Sequence, residues 1–395
     1  MSACPLQGVQ VLDLTRHLPG PLAAHLLADL GARVVKVEEP GLGDPVRQSP
    51  PRREGRSALA ALLLSGSESV TLDLKAPAAR PVLEDLIARS DVLLEGFRPG
   101  TLARFGFPPE ELRRRFPRLV ICSLSGWGQD GPYAARAGHD LTYQALAGAL
   151  APTAAMPALP LADLVGAWSV VAAVLAALVG RERSGQGSHI DASLYEAGLH
   201  ANLVNQAVET AGPQPVGRPL YLSGALPCYN LYRTGDGAWL ALAALEPHFW
   251  LRFCNAAGRP DLVRLQYSDS SKARRRVERL LASRTRDEWM ELCLREDVPA
   301  EPVLTAAEAR NTPQAQARGL MSAGEDGLPR FAFPARFDGE RPRAGALFPE
   351  LGSRTAELLR ELGRPEAGMS ERKRRKLGLA PNGRWKRWLA RWRLG

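Results

Sequence analysis

The stretch VQVLDLTRHLPGPLAAHLLADLGARVVKVE, residues 9–38, determines how the chain begins to fold. Residues 9–14 alternate weakly between apolar and polar side chains, residues 21–30 have helical periodicity, and residues 32–38 are again β-prone. This order predicts strand, helix, strand. The turn at residues 18–21 lacks the G-x-G-x-x-G spacing that binds a dinucleotide pyrophosphate, which disfavours nucleotide redox chemistry.

Further β-prone segments occur at residues 70–74, 92–94 and 119–122, and residues 78–89 have a helical pattern. Strands that alternate with helices form a mainly parallel sheet covered by helices. The fold class predicted for the large domain is therefore α/β. Residues 164–180 are apolar on every side and precede a charged, glycine-rich stop, which favours a buried helix over a membrane span.

The pattern changes near residue 224, where two β-prone segments flank a Thr-Gly-Asp-Gly turn and predict a hairpin. Helical patterns follow at about 248–257, 274–283 and 287–294, which completes a smaller α+β domain. A last helix, predicted at 355–362, returns to the large domain. The predicted organisation is a large domain (1–223 and 333–369), a small domain (224–332) and a basic tail (370–395).

The formal charge of +9 is concentrated at one end of the chain. Residues 370–395 contain ten Lys or Arg against Glu371 alone, so the rest of the chain is formally neutral. A neutral body disfavours nucleic acid as a partner. In the tail, Trp385, Trp388 and Trp392 are spaced for an amphipathic basic helix, which either contacts an anionic membrane or nucleic acid or stays solvated or partly disordered.

Length and composition restrict the class of protein. At 395 residues, 45% of them hydrophobic, the chain is long enough for two domains. It has neither the roughly 20-residue apolar stretch of a membrane span nor the pattern of a signal peptide, so we expect a cytoplasmic protein. The five cysteines are far apart and never form C-x-x-C. This spacing disfavours disulfides and a metal site, and predicts reduced, mostly buried thiols.

Three segments could carry acid–base or nucleophilic chemistry. Asp163 precedes the apolar helix, where its carboxylate would cap free N–H groups and stay ionised near the positive helix end. His139 and Asp140 follow a glycine at a loop-to-helix junction, and histidine changes protonation near neutral pH. Glu246 stands before Pro247 at a predicted helix start. Each segment also has a purely structural interpretation, as a helix cap or a loop support.

Three blocks of the chain, which together cover about half of it, resemble the class III CoA-transferase superfamily of formyl-CoA transferase and α-methylacyl-CoA racemase. The first block is LQGVQVLDLTRHLPGPLAAHLLADLGARVVKVEEPGLGD, residues 6–44. The second comprises VTLDLK (70–75), DVLLEGFRPGTLARFG (91–106) and LVICSLSGWGQDGPYAARAGHD (119–140). The third is LADLVGAWSVVAAVLAALVGRERSGQGSHIDASL, residues 161–194.

This resemblance implies an α/β large domain with a smaller domain between its two parts, and a homodimer of interlocked rings. It implies no tightly bound cofactor. The substrate would instead be a coenzyme A thioester, and the residues that match the family's contacts to it are Arg16, Gly96, Phe97 and Arg104. Basic side chains there would fix the phosphates while the thioester lies against a catalytic group.

One departure from the family precedes VTLDLK, where a basic run is usual. Residues 64–69 read LSGSES and contain no cation. Arg52, Arg53 and Arg56 lie upstream and are candidates to replace it.

The resemblance leaves two reactions open, and the acyl group unspecified. In the racemases, an aspartate and a histidine exchange the α-proton of a 2-methylacyl-CoA. Asp163 and His139 match these residues, and Asp140 and Glu246 match their supporting acids. In the transferases, the aspartate becomes an aspartyl-CoA thioester before CoA passes to an acceptor acid. The spacing from Asp163 to residues 175–178 matches the transferases. We favour the racemase, with CoA transfer as the alternative and a non-catalytic CoA-binding or interaction protein third.

Overall fold

The computed structural model describes residues 4–324, 327–342, 348–364 and 379. These residues divide into two compact units. The first unit lies within Met1–Tyr143, Leu159–Gly198 and Gln316–Gly395, and the second within Gln144–Ala158 and Leu199–Ala315.

The described strands are, in chain order, β1 (Gln10–Leu14), β2 (Arg33–Glu38), β3 (Arg52–Arg53), β4 (Arg56–Ser57), β5 (Ser67–Thr71), β6 (Val92–Glu95), β7 (Val120–Ser125), β8 (His189–Ser193), β9 (Tyr229–Arg233), β10 (Trp239–Ala243), β11 (Ala300–Pro302), β12 (Met321–Ala323) and β13 (Pro329–Phe331). The described α-helices are α1 (Pro19–Asp29), α2 (Ala58–Leu64), α3 (Arg80–Ala88), α4 (Thr101–Arg104), α5 (Pro109–Arg115), α6 (Asp140–Leu146), α7 (Leu161–Ser184), α8 (Leu194–Ala201), α9 (Leu203–Glu209), α10 (Pro247–Ala256), α11 (Ser271–Leu281), α12 (Arg286–Arg295), α13 (Ala306–Arg310), α14 (Pro313–Arg318) and α15 (Thr355–Glu361).

A six-stranded parallel sheet forms the centre of the first unit, in the order β5-β2-β1-β6-β7-β8. Its strands β6 and β7 are buried along their whole length, which is typical of a parallel sheet covered on both faces. Adjacent residues of β1 pack on opposite faces of the sheet, because successive side chains point to opposite sides of a strand. Val11 packs in a core with α1 and α7, and Leu12 in a core with α3 and α15. The predicted α/β fold is confirmed.

The edge strand β5 begins three residues earlier than the sequence pattern indicates, within the segment that lacks the basic run. The polar side chains of this strand mask its β pattern in the sequence, and in the fold each of them has a hydrogen-bond partner. Glu68 forms ion pairs with Arg33 at 2.9 Å and with Arg354 at 3.4 Å, and the Ser69 hydroxyl donates to Glu38 Oε1 at 2.6 Å. The segment therefore completes the sheet.

Helix α7 is buried along one side only, which corrects the expectation of a helix buried on every face. Ala162, Gly166, Ala167 and Val170 are in its buried side, whereas Trp168 is 40% exposed. By length and composition, with a mean hydropathy of 2.1, this helix could cross a membrane. Its packing against α1 and the sheet accounts for part of that apolar character.

The second unit contains the predicted hairpin. Strands β9 and β10 pair antiparallel, and β11 adds antiparallel to β10. Helices α10, α11 and α12 lie where the sequence places them, within three residues at each end. Trp250 and Trp289 are completely buried in their shared core, and each indole N–H donates to a backbone carbonyl.

The boundaries of the second unit differ from the predicted small domain, 224–332. The unit adds Gln144–Ala158 and the residues from Leu199 onward, and it ends at Ala315. This membership follows from contacts between residues far apart in the sequence, which local periodicity does not encode. The Asn202 amide donates to the Ala147 carbonyl at 2.9 Å, for example. The predicted basic tail, 370–395, lies outside the described residues except for Leu379. All five cysteines are free thiols, and four of them are buried, as predicted.

Candidate active site

A cavity of about 350 Å³ opens in the first unit at the carboxyl ends of the parallel strands. Its walls come from the segments that follow β1, β6 and β7 and from the starts of α6 and α7. Parallel strands bring these segments to the same edge of the sheet, which is the usual ligand-binding edge of open α/β sheets. The lining includes Arg16, Gly96, Phe97, His139 and Asp163, all five of which the sequence analysis singles out.

Asp163 lies in the first turn of α7, three residues after Pro160, the residue that precedes the helix. The expectation that its side chain caps the helix is wrong, since Pro160 offers no side-chain cap and Asp163 itself is inside the first turn. The cap comes from a distant residue. The backbone N–H of Asp163 donates to Asp140 Oδ1 at 3.1 Å, so the carboxylate of Asp140 serves the positive helix end.

The protonation of Asp163 also differs from the expectation of a permanently ionised carboxylate. Its side chain is half-buried, and burial raises the pKa of Asp163 to about 7, with the neighbouring charge of Asp140 adding to the rise. Desolvation and the charge of Asp140 both disfavour the ionised form of Asp163, and here they outweigh the opposite effect of the positive helix end. Asp163 can therefore gain or lose a proton near neutral pH.

His139 precedes α6, and a short side-chain-to-backbone motif fixes its main chain. Its N–H donates to Thr142 Oγ1 at 3.1 Å, and the Thr142 hydroxyl donates back to the His139 carbonyl at 2.7 Å. The imidazole is exposed and lines the cavity together with Asp163. The structure thus brings together three of the four proposed catalytic residues, Asp140, Asp163 and His139, in the first unit.

Glu246 is the fourth proposed catalytic residue and belongs to the second unit. It is the exposed residue immediately before α10, and its side chain makes no cap hydrogen bond there. The lining of the cavity in the first unit does not include it. The structural interpretation of Glu246 as a helix-start residue agrees with this position.

Tyr143 forms a tightly packed wall of the cavity. It is 5% exposed, and burial raises the pKa of its hydroxyl to about 12, with Asp163 as the next cause. Trp127 packs edge-on against it, with 5.0 Å between ring centroids. Gly126 and Gly138 both allow this packing, because a Cβ at either position would overlap the Tyr143 ring. The cavity wall next to His139 therefore depends on the close approach of the Gly126 and Gly138 backbones to the Tyr143 ring.

The cationic side chains at the cavity are only partly those expected. Arg16 lines it, as do Arg98 and Arg136, which the sequence analysis did not select. Arg136 stacks over the Tyr133 ring at 4.3 Å, which holds its guanidinium in place. Arg104, which the resemblance implies as a CoA contact, is outside the cavity lining, and its guanidinium donates to Thr101 Oγ1 at 2.6 Å.

A smaller cleft of about 30 Å³ lies beside this cavity and shares Arg16 and Phe97 with it. Lys75 also lines the cleft and supplies a cation close to the segment that lacks the basic run. The upstream arginines considered as replacements have other partners. Arg52 donates to Gln48, Arg53 to the Gly327 carbonyl, and Arg56 to Glu350, and the linings of these two cavities include none of the three.

His17 is the functional candidate that sequence reasoning missed most clearly, although it lies inside the first quoted block. Adjacent Arg16 drew attention because of the resemblance, and His17 had no such signal. Within residues 4–324, 327–342, 348–364 and 379, no group of three His, Cys, Asp or Glu side chains is close enough to hold a metal ion.

Comparison with known proteins gives a consistent family. The model of CoA-transferase family III matches residues 6–355. The chain is 32% identical over 390 residues to acetyl-CoA:oxalate CoA-transferase of Acetobacter aceti, covering 92% of this chain and 97% of that protein. It is 36% identical over 372 residues to α-methylacyl-CoA racemase of Homo sapiens, covering 91% and 93%.

Solved structures agree with the sequence relatives. A CaiB/BaiF family protein from Brucella suis superposes with a TM-score of 0.79 at 28% identity, covering 91% of this chain and 99% of that one. A Mycobacterium tuberculosis protein superposes with a TM-score of 0.78 at 31% identity, covering 91% and 100%. The relatives named here include a CoA-transferase and a racemase, which are both enzymes, so the non-catalytic interpretation is set aside. The chain belongs to CoA-transferase family III and is an enzyme of that family.

Proposed function

We propose that this enzyme racemises 2-methylacyl-CoA thioesters by moving the α-proton between Asp163 and His139. One observation carries the proposal: Asp163, with its pKa raised to about 7, lines the same cavity as an accessible imidazole. General acid–base catalysis is most efficient when the pKa of the group is near the working pH. A carboxyl group with an ordinary pKa would be a poor proton donor at neutral pH.

The proton balance of the reaction needs one protonated and one unprotonated group. Ionised Asp163 takes the α-proton, and the electron pair of the C–H bond moves into the thioester to give an enolate. Protonated His139 then delivers a proton to the opposite face of the same carbon. In the reverse direction the two groups exchange roles, so the pair returns to its starting charge after one forward and one reverse turnover.

Arg16, Arg98 and Arg136 support the assignment of a coenzyme A thioester as substrate, because three cations line a cavity that also holds the acid–base groups. Guanidinium groups suit phosphates and carboxylates. The role of Glu246 stays a prediction, as do the interlocked homodimer and the cytoplasmic location. Exposed apolar residues on α7, such as Trp168 and Val179, support burial against a second chain.

CoA transfer is the second candidate, and the similarity to acetyl-CoA:oxalate CoA-transferase favours it. In this reaction Asp163 attacks the thioester carbonyl and releases CoA as a thiolate, leaving a mixed anhydride. The thiolate then attacks the Asp163 carbonyl, releases the donor acid and leaves an aspartyl-CoA thioester. The acceptor carboxylate attacks this thioester, releases CoA as a thiolate and forms a second mixed anhydride. The thiolate then attacks the acceptor carbonyl, which gives the new acyl-CoA and frees the Asp163 carboxylate. The raised pKa of Asp163 does not separate the two reactions by itself, since the ionised carboxylate acts in the first step of both; the accessible imidazole of His139 in the same cavity is what favours racemisation.

Two parallel incubations discriminate between the candidates. The enzyme is first incubated with a single epimer of a 2-methylacyl-CoA in heavy water, and separately with a short acyl-CoA and a panel of free acids. We expect α-deuteration with loss of optical purity, and no exchange of CoA between acids. CoA exchange without α-deuteration, with hydroxylamine trapping an Asp163 adduct, would overturn the racemase proposal.

Two variants assign the groups. Asp163→Asn and His139→Ala should each abolish racemisation, whereas Asp130→Asn, an exposed aspartate outside the cavity lining, serves as the matched control. Unchanged racemisation in either of the first two variants would contradict the assigned pair.

A further inference from the structure

His17 occupies a strained backbone position at the edge of the cavity. It follows Arg16 in the segment after β1, and its φ of 70° lies in the left-handed region that non-glycine residues rarely adopt. Its imidazole is exposed and lines the cavity with His139 and Asp163. Strain of this kind persists only where the surrounding structure imposes it, and it concentrates at functional sites.

Buried charges impose this conformation. The His17 N–H donates to Asp44 Oδ1 at 3.1 Å, and Lys36 Nζ lies 3.1 Å from Asp44 Oδ2. Lys36 also donates to the Thr15 carbonyl at 2.9 Å and to Asp13 Oδ2 at 3.0 Å. The side chains of Lys36, Asp13 and Asp44 are each about 1% exposed. A buried ionic cluster of Lys36, Asp13 and Asp44 therefore holds the backbone of the segment that carries His17 in place.

The imidazole of His17 stands edge-on to that of His139, with 6.5 Å between ring centroids and a 90° angle between planes. Partial desolvation by the cavity walls lowers the pKa of His17, and the positive charges of His139, Arg16 and Lys36 act in the same direction, against Asp44. Neutral pH therefore favours the neutral imidazole. A neutral imidazole still has one N–H to donate. Because it is uncharged, it does not oppose a positive charge on the neighbouring His139.

We propose that His17 is a catalytic hydrogen-bond donor of this enzyme, whose N–H contacts the thioester carbonyl oxygen of the acyl-CoA bound in the Asp163 cavity. The inference rests on the proposed function only in placing a thioester in this cavity. In proton transfer, negative charge moves from the α-carbon to the carbonyl oxygen as the enolate forms, and His17 stabilises it there. In CoA transfer the same oxygen carries the charge of the tetrahedral intermediate. No proton leaves His17 in either case.

Three substitutions test this role. His17→Leu removes the donor, His17→Gln keeps an N–H donor, and His17→Gly removes the donor while accepting the positive φ without strain. We expect His17→Leu and His17→Gly to lower kcat about 10²-fold to 10³-fold, as for the loss of an oxyanion donor, with a much smaller rise in KM, because the uncharged ground-state carbonyl accepts the same hydrogen bond more weakly. His17→Gln should recover a substantial part of kcat. His200→Leu, at an exposed histidine on α8, is the matched control.

The glycine variant separates catalysis from folding. A purely structural His17 would make His17→Gly either harmless or destabilising. If His17 is a catalytic donor, His17→Gly should melt at the same or a higher temperature than wild type but have a much lower kcat. Wild-type kcat in His17→Gly, or equal kcat in His17→Leu and His17→Gln, would overturn the proposal.

A binding measurement distinguishes failure of this inference from failure of the proposed function. Calorimetry compares acetyl-CoA with S-ethyl-CoA, a thioether that lacks the carbonyl oxygen. Wild type should prefer the thioester, and His17→Leu should lose most of that preference while binding S-ethyl-CoA as before. An equal preference in both proteins would overturn the role of His17. A lost preference in a protein that neither racemises nor transfers CoA would leave His17 assigned and overturn the proposed function alone.

Discussion

The carboxylate of Asp140 accepts a hydrogen bond from the backbone N–H of Asp163, with 3.1 Å between Oδ1 and N. One aspartate thus holds the helix turn that carries the other, and its charge helps to keep the second carboxyl protonated near neutrality. Positioning and pKa adjustment come from the same side chain.

Asp140→Asn separates these two effects. Asparagine keeps an oxygen that can accept the N–H but removes the negative charge, so the pKa of Asp163 should fall from about 7 toward the usual aspartate range. The limb of the kcat/KM profile that reports Asp163 should move to lower pH by about one unit or less, since burial is the larger cause. An unmoved limb, with Asp130→Asn as control, would show that Asp140 acts by position alone.

The raised pKa of Asp163 also makes the stability of the protein depend on pH. The folded state holds this proton more tightly than the unfolded state, whose aspartates titrate near pH 4. The contribution is therefore complete below about pH 4 and is lost as the pH rises through about 7. Denaturant unfolding measures this at several pH values. Between about pH 4 and pH 7 the free energy of unfolding of Asp163→Asn should rise relative to that of wild type, by at most about 4 kcal/mol. A constant difference between the two proteins would contradict the raised pKa.

Arg98 and Arg104 test which cation meets the substrate. Arg98 lines the cavity, whereas the Arg104 guanidinium donates to Thr101 on its own helix. Arg98→Gln should raise KM for the acyl-CoA about tenfold, since a hydrogen bond to a charged group contributes about 1.5–3 kcal/mol. Arg104→Gln, as the matched substitution, should change KM less than threefold. Steady-state kinetics with one acyl-CoA compares them, and the reverse order would support the assignment implied by the family resemblance.

Gly138→Ala tests the close packing beside His139. The new Cβ would lie 2.9 Å from Tyr143 Cζ and closer still to Cε1, so the ring or the His139 segment must shift. We expect a loss of about 1–3 kcal/mol in unfolding free energy and a fall in kcat. Gly180→Ala in α7 is the control, because its Cβ meets no atom within 4 Å and alanine favours a helix by about 1 kcal/mol. Equal stability changes in the two variants would contradict the packing argument.

Lys36→Met tests the buried ionic cluster under the cavity. Methionine fits a similar volume but leaves Asp13 and Asp44 buried without their cation. Breaking a buried pair in this way typically destabilises a protein by about 3–5 kcal/mol. Urea unfolding measures the loss, with Lys272→Met, at an exposed position of α11, as a control expected within about 0.5 kcal/mol. A loss below about 1 kcal/mol would mean that the two aspartates are stabilised without Lys36.

Much of the fold follows from local patterns. The strand-helix-strand start, the hairpin of β9 and β10 and the helices α10 to α12 all match predictions made from periodicity and turn residues. The failures have a common cause. Strand β5 begins in the polar segment LSGSES, where Glu68 and Ser69 are satisfied by partners more than 30 positions away in sequence.

The site divides in the same way. Asp163 and His139 were found by their motifs and do share a cavity, and Arg16, Gly96 and Phe97 line it, whereas their contact with coenzyme A stays a prediction. His17 and Arg98 had no distinguishing residue pattern, although both lie in the quoted blocks. Their importance comes from where the loops after β1 and β6 lie in the fold, which brings His17 and Arg98 to the same cavity as their neighbours Arg16 and Phe97.

The sequence by itself determined the α/β class, the opening strand-helix-strand, the β9–β10 hairpin, the family and two candidate acid–base side chains, because periodicity and motif spacing are local properties. Only the tertiary structure decided that Asp140 serves the start of α7, that Asp163 titrates near neutral pH, and that His17 stands beside His139. These properties depend on burial and on charges brought together from distant positions, and local sequence does not specify either.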